Sequence, residues 1–396
     1  MIKLISDWIN QVKSWVYFLN LLVLQKMLNQ INVRLPAQSA YSYPIVLGNG
    51  CITQLNELIG RVGKVSKILI ISDEEVAKLY ADKLVQDLSL SYPTHLITFP
   101  SGEKNKSAEN KAKIEEQMFK LQCDRHTLCI ALGGGVVGDL VGFTAATYMR
   151  GIRVIQVPTT LLSMLDSSVG GKTAINTSYG KNIIGAFWQP SAVLMDINFL
   201  QSLPQEQIIN GLVEAIKIFL TFDKAYVEKC TNNIENIIAL EHDVLIDIIN
   251  RAVSLKAYVV EVDEKEQNLR MGLNFGHTVG HALEKITNFA VLHGYAVGYG
   301  ILVEAKIAEL LGLINQEDYQ VIENLLAKIN IVKDYLKQFN SQDIVVAMRG
   351  DKKNSNQEIK VVLINGIGTM KNIGNQVAFP VAENMILQAI DCLKGE

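Results

Sequence analysis

Two histidines four residues apart, His277 and His281, lie in the stretch GLNFGHTVGHALE at residues 272–284. On a helix this spacing places both imidazoles on one face. It is also half of a zinc-protease motif, but Thr278 and Gly280 stand where that motif needs its glutamate. The pair must therefore be interpreted together with other chemically active residues of the chain.

A third histidine, His293, follows in LHG, so three of the six histidines fall within residues 277–293. Together with Glu214 in NGLVEAIK, they favour a divalent metal with nitrogen and oxygen ligands and one open position. The spacing does not choose among the histidines. Either His277 or His281 could be a ligand while the other carries protons.

Several cations lie in apolar or glycine-rich surroundings and predict a polyanionic substrate, such as a sugar phosphate with a carboxylate. They are Arg150, Lys172, Lys217, Lys256 and Arg270. Lys172 and Lys181 each follow glycines, which allows an anion to approach closely. Asp263, Glu264 and Glu266 form a charge run, which is typical of a solvated face.

A glycine-rich turn in HTLCIALGGGVVGDLVGF satisfies GxGxxG with Gly133, Gly135 and Gly138. The pattern predicts a strand, a turn and a helix whose N-terminus faces a pyrophosphate. The next strand, RVIQVP, ends in Thr159 and Thr160, where the usual fingerprint has a ribose-binding acid. Asp73, after an earlier strand, could replace it.

The elements around these residues change character along the chain. Four strand-like runs, KILIIS (67–72), HLITFP (95–100), HTLCIAL (126–132) and RVIQVP (153–158), alternate with helical stretches and predict a parallel sheet. A long polar loop with Gly, Ser, Thr and Lys follows up to residue 190. Beyond about residue 200 the periodicity is helical, and IKVVLIN (359–365) predicts one strand pair.

We therefore predict three parts: an N-terminal extension of unknown role (1–40), an α/β nucleotide-binding domain (41–200) and a mostly helical domain (201–396). The extension contains the apolar run WVYFLNLLVL (15–24), which is too short for a membrane span. We interpret it as dispensable, with Met27 as an alternative start.

Composition limits the function classes. A formal net charge of −3 gives no basic field for nucleic acid, and hydrophobic residues at 49% allow a large core. Five scattered cysteines without a CxxC pair indicate reduced thiols and a cytoplasmic protein.

As a whole, the chain resembles the 3-dehydroquinate synthases of the sugar phosphate cyclase superfamily. The resemblance runs from about Tyr43 to the C-terminus and is carried by a series of motifs in order. These are SGEKNKS, ALGGGVVGDLVGFTAATYMRGI, VPTTLLSMLDSSVGGKTAIN, GKNIIGAFWQP, VEAIK, RMGLNFGHTVGHALE, LHG and GDKKN.

The resemblance implies a Rossmann-like NAD-binding domain with a parallel sheet, a helical metal-binding domain and a site in the cleft between them. It implies conversion of 3-deoxy-D-arabino-heptulosonate 7-phosphate into 3-dehydroquinate and phosphate, a step of the shikimate pathway towards chorismate and the aromatic amino acids. NAD and one divalent ion, Zn2+ or Co2+, would be the cofactors. The implied steps are alcohol oxidation, phosphate elimination, reduction, ring opening and intramolecular aldol closure.

The resemblance also assigns roles to residues. The implied metal ligands are Glu214, His277 and His293, which leaves His281 to substrate binding and proton transfer. The implied substrate contacts are Asp166, Lys172, Asn182, Lys217, Lys256, Arg270, Asn274 and Lys353 (or its neighbour Lys352). Arg150 would reach the site of a second subunit in a homodimer. The implied NAD contacts are Asp73, Glu103, Lys106, Gly134, Gly135, Val136, Asp139, Thr159, Thr160, Lys172 and Lys181.

One departure concerns Tyr295, which stands where the family usually has an acid after the third histidine. A neutral phenol is expected to hold the second nitrogen of His293 less firmly than a carboxylate. Three alternatives remain: another sugar phosphate cyclase such as a 2-deoxy-scyllo-inosose or valiolone-type synthase, a metal- and NAD-dependent alcohol dehydrogenase, and an inactive paralogue.

Overall fold

The computed structural model describes residues 1, 11–15, 41–349, 358–374 and 376–395. The chain separates into two compact units, Met1–Ser42 and Tyr43–Glu396. In the first unit, residues 11–15 are helical and exposed. Met27, Lys353 and most of the apolar run lie outside the described residues, so the predictions made for them stay predictions. The predicted boundary at residues 200/201 also stays a prediction, because it falls inside the second unit.

A parallel sheet organises the first half of this unit. In the described residues it contains β1 (Ile45–Gly48), β2 (Lys67–Asp73), β3 (Thr94–Phe99), β4 (Thr127–Gly133), β5 (Arg153–Pro158) and β8 (Ala192–Asp196), in the spatial order β1-β8-β5-β4-β2-β3. The four predicted strands are confirmed as β2 to β5. The edge strand β1 and the buried strand β8 were not predicted from the sequence.

Both faces of the sheet are covered, which explains why its strands are continuously apolar. Alternate residues of β2 belong to different cores: Ile68 and Ile70 pack on one face, and Leu69 and Ile71 pack on the other. The covering helices are α1 (Leu55–Arg61), α2 (Asp82–Ser89), α3 (Ala108–Lys120) and α4 (Gly135–Thr147). The fold class predicted for this half is confirmed.

The order of the strands determines where a ligand can bind. The chain passes from β2 outwards to β3 and then returns to β4 on the opposite side of β2, so the connection reverses between β2 and β4. A crevice opens at such a reversal, beyond the carboxyl ends of the strands. The glycine turn after β4 and Asp73 at the end of β2 both lie at this position.

The segment predicted as a long polar loop contains regular structure, so that prediction was wrong in part. A short π-helical turn covers Ser163–Ser167, and an antiparallel hairpin follows, with β6 (Lys172–Thr177) paired to β7 (Gly180–Phe187). Threonine and isoleucine in these strands suit a pleated surface. Neither strand alternates between buried and exposed residues, so the period-2 signal of a strand was absent from the sequence.

The second half is mostly helical, as predicted. Its helices are α5 (Gln205–Phe222), α6 (Lys224–Asn232), α7 (Ile234–Ile238), α8 (His242–Val262), α9 (His277–Ile286), α10 (His293–Leu310), α11 (Gln316–Ala327), α12 (Ser341–Met348) and α13 (Glu383–Lys394). The predicted strand pair is confirmed as β9 (Lys360–Val362) with β10 (Ala378–Pro380). Within the described residues, no helix is long and apolar enough to cross a bilayer.

Candidate metal and nucleotide site

Helix α5 places a carboxylate and an ammonium group inside the helical core. It is buried on nearly every side from Ile208 to Thr221, and Glu214 and Lys217 are 0% and 1% exposed. Lys217 Nζ donates a hydrogen bond to Glu214 Oε2, whereas the buried Glu214 Oε1 has no hydrogen-bond partner in the described residues. A buried carboxylate oxygen is costly unless a cation or donor compensates it.

Two histidines begin the helices that face this oxygen. His277 is the first residue of α9, and His293 is the first residue of α10. Their Nε2 atoms lie 3.9 Å and 3.6 Å from Glu214 Oε1. Donor atoms that share one tetrahedral ion at about 2.1 Å lie roughly 3.4 Å apart. The three predicted ligands are therefore brought together with nearly the required spacing.

Backbone groups of glycine residues make the contacts that position these helix ends. The Gly294 N–H donates to Asn210 Oδ1 of α5 at 2.6 Å, which places the start of α10 one turn before Glu214. The Gly276 N–H donates to Glu304 Oε2 of α10 at 2.7 Å. A Cβ on Gly300 would lie 1.9 Å from the backbone oxygen of Gly276, so α9 and α10 are in direct backbone contact.

A second group of donor atoms, on His281, Glu284 and His293, overlaps the first. His281 is exposed, and its ring centroid lies 5.4 Å from that of His277. Glu284 Oε1 lies 3.0 Å from Lys181 Nζ, and Oε2 lies 3.4 Å from His293 Nδ1. The compensated carboxylate of Glu284 makes this group the weaker candidate for a metal. The division of roles between His277 and His281 stays a prediction.

Electrostatics agree with these contacts. Burial raises the pKa of Glu284, but His293 and Lys181 outweigh burial and hold this pKa at about 2. Tyr295, in contrast, packs at the edge of the helical core, and burial followed by Glu206 raises its pKa. Glu284 of α9 places a carboxylate beside Nδ1 of His293, and the weaker hold expected from Tyr295 stays a prediction.

The predicted substrate cations are paired with acceptors of the protein. Lys256 Nζ donates to both the backbone oxygen and the carboxylate of Asp166. Burial lowers the pKa of Lys256 to about 8, whereas burial of Asp166 is outweighed by Lys256 and Lys217, which lower its pKa. Arg270 is buried, and its Nη2 donates to the Gly170 backbone oxygen at 2.9 Å.

Glu266 joins two further predicted substrate residues. It accepts hydrogen bonds from Lys172 Nζ at 2.5 Å and from Asn274 Nδ2 at 2.8 Å. Asp263 accepts three backbone N–H groups of the same loop, including that of Arg270. The prediction of a solvated acidic face was therefore wrong for Glu266 and Asp263, because both order the loop that carries the cations.

Two predicted residues lie at the surface. Asn182 is exposed with φ 55°, and its N–H donates to Asn176 Oδ1 at 3.1 Å. Arg150 is exposed with φ 66°, and its guanidinium has no hydrogen bond within the described part of the chain.

The glycine turn forms a narrow cradle at the N-terminus of α4. Gly134 is the N-cap residue, and no side chain caps the helix. A Cβ on Gly134 would lie 3.2 Å from Thr160 Cγ2, and one on Gly135 would lie 3.1 Å from Ser167 Oγ. Val136 follows in the first turn. Glycine keeps the cradle open, and the exposed helix N-terminus suits an anion.

Other predicted nucleotide residues surround this cradle. The hydroxyl oxygens of Thr159, which was predicted, and of Ser167, which was not, are buried without a hydrogen-bond partner in the described residues. Lys106 Nζ lies 3.1 Å from Glu103 and 3.0 Å from Asp139. Burial raises the pKa of Asp139 to about 6, and the nearby Lys106 lowers it only in part.

Two predicted nucleotide residues have other local contacts. Asp73 Oδ1 accepts the N–H groups of Glu75 and Val76, each at 3.0 Å, and thus caps the helical turn after β2. Lys181 pairs with Glu284 and lies 4.2 Å from the ring centroid of Phe289. These two contacts lie on the helical side of the site.

Comparisons with known proteins agree with this arrangement. A family model described as the N-terminal part of 3-dehydroquinate synthase matches residues 96–210, and the C-terminal part matches residues 211–354. The chain is 42% identical over 332 residues to the 3-dehydroquinate synthase of Thermodesulfovibrio yellowstonii, covering 83% of this chain and 92% of the relative. It is 42% identical over 327 residues to that of Helicobacter pylori, covering 82% and 91%.

The chain belongs to the 3-dehydroquinate synthase family.

Solved structures show the same fold. A 2-deoxy-scyllo-inosose synthase complexed with carbaglucose-6-phosphate, NAD+ and Co2+ has a TM-score of 0.81 and 26% identity, covering 87% of this chain and 95% of that one. The 2-epi-5-epi-valiolone synthase ValA of Streptomyces hygroscopicus, with NAD+ and Zn2+ bound, has a TM-score of 0.81, 24% identity and coverages of 92% and 99%. A butanol dehydrogenase of Thermotoga maritima, with a TM-score of 0.63 and 14% identity, shares the fold alone.

Among the residues that the sequence analysis missed, Glu284 had a visible signal. In this member of the 3-dehydroquinate synthase family it follows His281 by three residues in GHALE, so one helix face carries both. Glu266, Glu304 and Asn210 had no such signal. Lys172 lies 94 positions from Glu266, Gly276 lies 28 from Glu304 and Gly294 lies 84 from Asn210, so tertiary packing brings these partners together.

Proposed function

We propose that this protein is a 3-dehydroquinate synthase that converts 3-deoxy-D-arabino-heptulosonate 7-phosphate into 3-dehydroquinate and phosphate in the shikimate pathway. One observation carries the proposal. The buried Glu214 Oε1, which has no hydrogen-bond partner among the described residues, faces the Nε2 atoms of His277 and His293, inside a chain that belongs to this family.

The residues present fit the two cofactors. Glu214, His277 and His293 would hold a divalent ion, since nitrogen and oxygen donors at this spacing suit Zn2+ or Co2+. The Gly134–Gly135 cradle would hold the NAD pyrophosphate, with Thr159 and Asp139 nearby. When bound, NAD takes up and returns a hydride, and the metal polarises the oxygen of the alcohol that is oxidised.

The protein would contribute mainly positions and charges. Lys172, Lys256 and Arg270 would neutralise the phosphate and carboxylate of the substrate, and Asn182 and Asn274 would donate hydrogen bonds. In the structure these cations are already paired with protein acceptors such as Glu266 and Asp166. A bound substrate would therefore replace existing ion pairs. While the site is empty, these pairs limit the free-energy cost of burying the charged groups.

His281 would carry protons between the substrate and solvent. It is exposed beside the buried His277, so its imidazole can exchange protons without losing a metal bond. This separation explains why two histidines on one helix face serve different purposes.

The assembly and location of the protein are part of the proposal. Exposed Arg150, held at φ 66° after α4, would reach the site of a second copy in a homodimer. The five cysteines are free thiols, and four of them are buried. This supports the reducing cytoplasm as the location.

The test is a turnover assay with metal-depleted and metal-restored protein. We expect phosphate release from the heptulosonate phosphate only with metal and NAD present, and no net NADH. Turnover of glucose 6-phosphate, but not of the heptulosonate phosphate, would identify another cyclase instead. Accumulation of NADH in proportion to product would identify a dehydrogenase, and no release with both cofactors present would indicate an inactive paralogue.

A further inference from the structure

The two ring nitrogens of His293 face two different carboxylates. Nε2 lies 3.6 Å from Glu214 Oε1, on the side of the proposed metal, and Nδ1 lies 3.4 Å from Glu284 Oε2. A metal-bound imidazole must carry its proton on the other nitrogen, and the partner of that nitrogen fixes both the tautomer and the ring orientation. The ring of His293 is therefore already oriented with Nε2 towards the position of the proposed ion.

Glu284 is itself held in place from the opposite side. It is 4% exposed, and its second oxygen, Oε1, accepts from Lys181 Nζ at 3.0 Å. Lys181 comes from β7, in the hairpin after the π-turn, whereas Glu284 is in the last turn of α9. The contact thus joins the hairpin to the helix that carries His277.

We propose that Glu284 is a positioning residue for His293, which holds Nδ1 so that Nε2 faces the metal, and that Lys181 acts on the same ligand through Glu284. The inference rests on the proposed function, because it assumes a metal at Glu214, His277 and His293. It assigns no contact of Glu284 with substrate. It also explains how this chain holds His293 with a tyrosine at position 295.

Glu284 and Lys181 should differ in how strongly their loss weakens metal binding. Loss of a carboxylate behind a metal-bound histidine typically weakens metal binding by about 10- to 100-fold. If Lys181 acts on His293 through Glu284, as proposed, its loss should weaken metal binding less and should have no further effect once Glu284 is absent. Such non-additivity separates a connected pair from two independent residues.

The experiment measures the dissociation constant of Zn2+ by chelator competition, and the visible absorption of bound Co2+, without substrate or NAD. The variants are Glu284→Ala, Glu284→Gln, His281→Ala, Lys181→Met and the double variant Lys181→Met with Glu284→Ala. Glu309→Gln is the matched control, because Glu309 is an ion-paired carboxylate of α10 whose partner, Lys306, lies on the same helix. The thermal midpoint of each metal-free variant shows whether it is folded.

We expect Glu284→Ala to weaken Zn2+ binding by about tenfold or more and to change the Co2+ spectrum. Glu284→Gln should recover part of the affinity, because its amide oxygen still accepts from Nδ1, and it serves as the test if the alanine variant does not fold. Glu309→Gln should bind as the wild type does.

Two results would overturn the inference while the proposed function stands. The first is wild-type affinity and spectrum in both Glu284 variants. The second is equal loss of metal in Glu284→Ala and His281→Ala, which would make Glu284 a ligand of the overlapping group rather than a support. A wild-type protein that binds no metal would instead overturn the proposed function itself.

Discussion

Gly211 of α5 lies directly on the backbone of Leu162, in the segment that follows β5. A Cβ on Gly211 would lie 2.5 Å from the Leu162 backbone nitrogen, and no flexible side chain could move away to make room. This contact places the helix that carries Glu214 against the strand-end segment that carries Asp166 and Ser167. The relative position of the metal ligand and the glycine cradle depends on it.

The Gly211 contact predicts that Gly211→Ala is strongly destabilising. An added methyl group against fixed backbone must move the helix, and overpacking of this kind typically costs about 1–3 kcal/mol. Chemical denaturation monitored by circular dichroism should show this loss in the free energy of unfolding. Metal affinity should fall as well, because α5 carries Glu214.

Gly60→Ala is the matched control for this substitution. Gly60 lies within α1, and an added Cβ would meet nothing within 4 Å. Alanine in a helix interior should be neutral or stabilising by up to about 1 kcal/mol. Equal stabilities of the two variants would contradict the importance of the contact.

The proposed roles of the paired histidines predict different losses. His277→Ala should lose bound metal, since it removes one of three donors around Glu214 Oε1. His281→Ala should keep its metal and lose about 10²-fold or more in turnover, the usual contribution of a proton-transfer group. Metal analysis of the purified variants, together with phosphate release, measures both. Equal metal loss in the two variants would overturn this division.

Lys172 is expected to act on substrate more than on NAD. Lys172→Ala should raise the KM for the heptulosonate phosphate by about tenfold or more, the value of a hydrogen bond to a charged group. NAD affinity, measured by calorimetry, should change little. The described partner of Lys172 is Glu266, in the loop before Arg270 and Asn274, which are themselves predicted substrate contacts. Lys113→Ala, which removes an exposed lysine paired with Glu109, serves as the control. Equal weakening of both ligands would count against the assignment.

Asp139 predicts a pH dependence of stability. Its pKa rises from 3.8 to about 6, first through burial and then through Glu103 and Asp166, while Lys106 opposes the shift. The folded chain therefore binds more protons than the unfolded chain between pH about 4 and 6. Relative to Asp139→Asn, the free energy of unfolding of the wild type should fall as the pH rises through this window.

Denaturation of both proteins at several pH values between 4 and 7 tests this dependence. The free energy of unfolding of the wild type minus that of Asp139→Asn should decrease on going from pH 4 to pH 6 and then level off. A difference that is constant, or that grows with pH, would show that Lys106 dominates the environment of Asp139.

The sequence by itself determined the local elements and the ordered motifs. The runs that became β2 to β5 are apolar and bounded by turn residues, and the glycine turn needs its glycines for steric reasons that hold in any context. The ligand set Glu214, His277 and His293 came from the resemblance to a family. The spacing of the histidines alone left the choice between His277 and His281 open.

Only the tertiary structure decided how the side chains pair. Lys256 meets Asp166 across 90 positions of the chain, and Lys181 meets Glu284 across 103. Periodicity and spacing describe neighbours within a few turns, whereas such pairs depend on where whole helices and hairpins pack. For the same reason Glu284, nine residues before His293, faces the Nδ1 atom of that histidine, and Tyr295, two residues after it, does not.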